Sequence, residues 1–194
     1  MPRAKMNAER RAQILAALEL CIVHQGLART SLNDVAERAG LARPLVRHFV
    51  GNRDNMIKLL FQSLIDRGEA QLNTLTEDGD QPELRHMLDL LFGDLFSNAA
   101  SNIVVSELWS LARNNDEIQA SLRSLYDRIF DLLIVGMKAE GYGISKQQRR
   151  DTAFCIVSLA YGHASFREIG LSSKKKSAPR LAADTLLADI LNKS

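Results

Sequence analysis

The chain has 194 residues, of which 46% are hydrophobic and 25% charged, with four prolines and two cysteines. That balance excludes disorder throughout, and abundant leucine and alanine with so little proline favours an all-helical protein of one large or two small domains. No uninterrupted apolar run approaches the roughly 18–20 residues that span a bilayer, so no membrane partner is expected. The opening "MPRAKMNAERRAQIL" has no apolar signal core, so the expected location is cytoplasmic. Cys21 and Cys155 lie far apart and are expected to be reduced, buried thiols.

The net charge of +2 hides an asymmetry: residues 1–55 hold nine Lys/Arg against five Asp/Glu, a balance of +4, which leaves −2 for the rest. A basic head on a mildly acidic body points to a polyanion as the partner of the head.

Taken in chain order, the periodicity is helical. Ile14, Leu15, Leu18, Cys21 and Ile22 mark one face of a first helix, about 7–25, which "HQGLART" stops with Gly26 in the left-handed position. "SLND" predicts a capping box, Ser31 as N-cap and Asp34 three residues on, opening a second helix over about 32–39. Gly40 breaks it. The stretch "LARPLVRHFVGNRD" follows, carrying Arg43, Arg47, His48 and Arg53. Asn52 is a fitting N-cap for a fourth helix, about 53–74, with Met56, Ile57, Leu60, Phe61, Leu64 and Ile65 along its apolar stripe. The acidic "TEDGDQPE" at 76–83 is a linker. Longer helices are predicted after it, over about 82–98, 101–113, 115–140, 146–170 and 179–192, separated by "EGYG" and "GLSSKKKSAPR".

The head helices have helix-turn-helix proportions. In such a unit the second helix of the pair enters the major groove, so it must be anchored on one side and exposed on the other. Here Leu45 and Phe49, four apart, are the expected anchor, leaving Arg43, Arg47 and His48 outside. Arginine suits guanine or phosphate through its fork. Pro44 fits the first helical position, with Arg43 as a poor N-cap, so the free N–H groups of Leu45 and Val46 could face a phosphate or base acceptor.

Residues 10–60 resemble the DNA-binding head of the TetR family of bacterial transcriptional regulators. The resemblance is carried by "RRAQILAALEL", by "TSLNDVAERAG" and by "HFVGNRDNMI", in that order. It departs in two places: Leu41 to Phe49 is one residue shorter than the common pattern, and Val46 stands where an aromatic residue is usual two before the histidine. The family implies a dimer of nine-helix, all-α subunits with a three-helix head and a divergent body. That body usually binds a small molecule and then releases the operator. Carried over, the resemblance implies that Ser31, His48 and Arg53 touch phosphates and that Arg43, Pro44 and Arg47 face the groove. Arg3 and Lys5 are expected either on an extended N-terminal arm that adds minor-groove or phosphate contacts, or in a frayed terminus. The expected division is a head at 7–67, with its helix-turn-helix at about 31–50, and a ligand-binding and dimerisation body at 76–194.

In the body, Phe92, Trp109, Phe130 and His163 are the candidate lining of a ligand pocket. "SELWSLARNNDEIQASLRSLYDRIFDLL" loosely resembles the body of the choline-responsive branch of the family, without assigning a ligand; a single tryptophan does not make an aromatic cage for a quaternary cation. Small residues in "CIVSLAYGHASFREIG" and the apolar positions of the last helix suggest a two-fold four-helix interface, with Ala160, Ala164, Leu187, Ile190 and Leu191 as candidates. No nucleophile elbow, phosphate loop, dinucleotide fingerprint or metal-ligand motif is present, and the four histidines are scattered. No catalytic residue, cofactor or metal is expected. The expected partners are a near-palindromic double-stranded DNA operator, a small-molecule effector and a second copy of the chain. The expected function is a ligand-responsive repressor. The alternative is a ligand-independent DNA-binding activator or architectural protein.

Overall fold

The computed structural model describes residues 2–76, 83–95, 99–142, 145–171 and 177–191, and no strand occurs among them. Nine α-helices run through these residues: α1 Pro2–Gln25, α2 Leu32–Ala39, α3 Arg43–Val50, α4 Arg53–Asn73, α5 Leu84–Leu90, α6 Ala99–Ala112, α7 Asp116–Ala139, α8 Lys146–Glu168 and α9 Ala178–Leu191. A single wider π turn, Leu91–Leu95, prolongs α5. "GLSSKKKSAPR" and the linker at 76–83 lie largely outside the described residues.

The helix ends follow local chemistry. Ser31 and Asp34 close a reciprocal capping box on α2, and Ser145 with Gln148 does the same for α8. Asn52 and Asn115 accept the backbone N–H groups of Asn55 and Ile118 to start α4 and α7. Gly40 ends α2 at φ 64°, a left-handed conformation that costs a side-chain-bearing residue about 1–2 kcal/mol. Its N–H and that of Leu41 turn back onto the last carbonyls of α2, which fixes the angle at which α3 leaves.

One end differs from expectation. The segment with Lys5 is not an extended arm; α1 begins at Pro2, so these residues form its first turns.

Two apolar cores hold the helices. The first gathers Ile14, Leu18 and Ile22 of α1, Val35 of α2, Val46 and Val50 of α3, and Met56 and Leu60 of α4. It also takes in Val104 and Leu108 of α6 and Ile118 and Leu122 of α7, so the head rests on body helices. The second joins Leu72 of α4 to Leu88 of α5, Leu133 and Met137 of α7, Ile156 of α8 and Leu187 of α9. α4 therefore enters both cores. At its buried Gly68 a Cβ would come within 3.3 Å of Leu125 Cδ2, so glycine lets α4 lie close against α7. Full burial of each large aliphatic side chain contributes about 1.5–3 kcal/mol before chain entropy is subtracted.

The free thiols are not alike. Cys21 is buried, as expected, and burial pushes its thiol above the usual range against the opposing pull of Arg38. Cys155 is exposed on α8, which corrects the expectation of a second buried thiol: its helix turns that position away from the second core.

Candidate DNA-binding face and body cavity

α3 is held to the head by Val46 and Val50, 0% and 2% exposed, with half-buried Phe49 beside them. Of the expected anchor pair, Phe49 packs against the core and Leu45 does not. Leu45 is 39% exposed and belongs to the outer face. At 100° per residue, the direction opposite Val46, Phe49 and Val50 is occupied by Pro44 and His48, with Leu45 and Arg47 on either flank. All four are exposed, as is Arg43 at the helix start.

The start of α3 also differs from expectation by one residue. Ala42 is the N-cap, Arg43 the first helical residue and Pro44 the second. The carbonyl of Ala42 accepts the N–H groups of both Leu45, at 2.9 Å, and Val46, at 3.1 Å. Those two donors are therefore not free for an anion. The Arg43 guanidinium, not bare backbone, is what this end offers.

Val46 also settles the position where an aromatic residue is usual. Its side chain points into the first core, so in this chain that position is structural.

Ser31 is exposed at the start of α2, where its hydroxyl and N–H both donate to Asp34 Oδ2 at 2.7 Å. Those bonds hold the Asp34 carboxyl below its ordinary range. Arg53, expected at a phosphate, is half-buried and turned inward. Its Nε donates to the Thr30 carbonyl at 3.0 Å and an Nη to the Leu27 carbonyl at 2.6 Å. It clamps the α1–α2 loop to α4. From the other side, Glu107 of α6 accepts the Leu27 N–H at 3.3 Å. Sequence spacing could not reveal that pair, because the partners are 80 residues apart.

In the body, α6, α7 and α8 border a half-open cavity of about 450 Å³. Trp109 and Phe130 line it, as expected. Tyr126, Phe154 and Tyr161 complete its aromatic wall. The Trp109 ring lies 5.6 Å from that of Tyr126 and 5.3 Å from that of Tyr161. Burial pushes the Tyr126 phenol far above its ordinary range, so it stays a neutral hydroxyl. Arg113, Gln119 and Arg123 border the cavity near the α6–α7 turn. These additional residues follow helical spacing: Gln119, Arg123, Tyr126 and Phe130 fall on one face of α7.

Two expected lining residues lie elsewhere. Phe92 packs against the second core. His163 borders a separate cleft with Phe166, Leu171 and Pro179. The expected interface residues also separate. Ala160, Ala164 and Leu187 are 2%, 3% and 4% exposed within the subunit, so they pack α8 and α9 rather than face a partner. Ile190 packs against the second core, and the side chain of Leu191 lies outside the described residues. What these helices expose instead is Leu159, Phe166 and Ile169 of α8 and its end, Leu171 beyond it, and Leu181 of α9.

No family model matches the chain. Among curated proteins, an HTH-type transcriptional regulator BetI from Stenotrophomonas maltophilia is 26% identical over 136 residues, covering 69% of each chain. Among solved structures, a TetR-family transcriptional regulator from Rhodococcus sp. superposes with a TM-score of 0.72 at 21% identity, over 94% of this chain and 99% of that one. The chain thus shares the all-α fold of a TetR-family regulator and is similar in sequence to a BetI regulator. A third relative by fold, a transcriptional regulator from Saccharomonospora viridis in complex with choline, has a TM-score of 0.73 at 15% identity, covering 93% and 96%. All three of these proteins are described as transcriptional regulators. No described helix is long and apolar enough to cross a membrane.

Proposed function

We propose that this chain is a TetR-type regulator, a cytoplasmic, homodimeric DNA-binding repressor that leaves its operator when a small molecule fills the body cavity. The observation that carries the reading is the outer face of α3. It presents Pro44, Leu45, Arg47 and His48 together, on a short helix anchored from behind by Val46 and Val50. Two such helices, one per subunit, would occupy successive major grooves of a near-palindrome. Arg43 and Arg47 would meet guanine edges or phosphates, His48 and Ser31 phosphates, and Leu45 a thymine methyl.

Dimerisation is supported by the exposed apolar side chains of α8 and α9, since large exposed patches mark contact surfaces. Ligand response is supported by the half-open aromatic cavity and by the choline complex of a chain with the same fold. The route from cavity to head is short in structural terms. α6 lends Trp109 to the cavity and Glu107 to the Leu27 N–H. A ligand that binds more tightly when α6 is displaced would loosen the hold on the α1–α2 loop, and linkage would lower DNA affinity.

Fluorescence anisotropy with DNA from upstream of the protein's own coding region tests the proposal. Affinity should be sequence-dependent and fall steeply with salt, with a log–log slope of about −0.9 per phosphate neutralised. Arg47→Ala should weaken operator binding by about 1–3 kcal/mol. Affinity indifferent to sequence at every salt concentration rejects the reading.

A further inference from the structure

The wall of the cavity is aromatic and aliphatic, and every charged side chain bordering it is an arginine. Arg113 donates to Ser110 Oγ at 3.2 Å. Arg123 has no hydrogen bond or ion pair to any described residue. No aspartate or glutamate lines the space. The carboxylates of Asp116, Asp127 and Asp131 border a separate open groove, which Arg123 also touches. Asp127 is occupied there by Arg150 at 2.9 Å.

The charges are also placed at one edge. Arg113 sits at the α6–α7 turn, and Gln119 and Arg123 occupy the first two turns of α7. Phe130 lies two turns further along the same face, about 10 Å from Arg123 along the axis. There its ring is 6.2 Å from that of Phe154. A buried cation needs a compensating carboxylate or an open aromatic face. Here no carboxylate lines the cavity, Arg150 already stands 5.8 Å over the Phe130 ring, and the two arginines at the rim repel a cation that would stack on the remaining rings.

Granting the reading above that this cavity is the effector site, we propose that it takes a compact apolar molecule bearing one carboxylate. The carboxylate meets Arg113 and Arg123, and the skeleton lies among Trp109, Phe130 and Phe154. A quaternary ammonium does not suit this wall.

Three probes of one shape and different charge test this: adamantane-1-carboxylate, 1-adamantanemethanol and trimethyl(1-adamantyl)ammonium. Calorimetry gives affinity, and emission of Trp109, the sole tryptophan, reports the site. The carboxylate should bind about tenfold tighter than the alcohol, as charge-assisted hydrogen bonds predict, and the ammonium weakest. In Arg113→Gln/Arg123→Gln, two exposed positions, the carboxylate's advantage should shrink to about twofold while alcohol affinity holds. The proposal is overturned if the ammonium binds as tightly as the carboxylate, if the preference survives in the double variant, or if none of the three shifts Trp109 emission. Operator anisotropy at saturating carboxylate separates the two claims. Release supports both; binding without release keeps the charge assignment and removes the effector role.

Discussion

Val46 shows how one side chain sets the meaning of its neighbours. It is fully buried, so the helix turns Arg47 and His48 outward by geometry alone. Val46→Tyr, which restores the aromatic residue usual at this position, should overpack the first core and lower stability by about 1–3 kcal/mol. Thermal melting checks this, and an unchanged midpoint would mean that the position is not enclosed. Asp34 gives a pH signature at the same scale. Hydrogen bonds from the Ser31 hydroxyl and N–H depress its folded pKa below the ordinary 3.8. Its charge therefore stabilises the fold above that pH, and the contribution is lost as pH falls through the depressed value. Asp34→Asn should melt below the wild type at pH 7, with the gap closing as pH falls below the ordinary carboxylate range.

At the scale of elements, caps and stripes made most helices legible. The capping box at Ser31 and the asparagine caps of α4 and α7 act within three residues, a range that sequence spacing reports. The start of α3 was read one residue late because proline is allowed at more than one position in a first turn. The extension of α1 back to Pro2 has no apolar stripe to announce it. The anchor of α3 is half legible for a related reason: Phe49 packs on the core as its spacing predicts, but Leu45 and Val46 are adjacent and only the direction of the core chooses Val46. Arg53 is similar. Its charge suggested a phosphate, but the carbonyls of Leu27 and Thr30 face it across the α1–α2 loop. The aromatic wall was half legible, because Trp109 and Phe130 stand out in sequence while Tyr126, Phe154 and Tyr161 join them only where α6, α7 and α8 converge.

For the whole molecule, the expected pairing surface is the outer face of α8 and α9, where Phe166 is 59% exposed. Phe166 is mostly exposed, so Phe166→Glu should leave the subunit folded. It should shift sedimentation from dimer to monomer, weaken association at least about tenfold if the ring is central to the contact, and reduce operator affinity with it. A variant that stays dimeric would place the interface elsewhere.

The amino-acid sequence by itself determined an all-helical chain, the order of its helices, their caps and the basic head, because these depend on periodicity, local hydrogen bonds and charge within a few residues. Tertiary structure alone decided which alanines and leucines of α8 and α9 are interior, which face of α3 is free, and that Glu107 and Arg53 grip one loop from two sides. Those outcomes depend on where distant helices meet, a quantity that spacing along the chain does not contain.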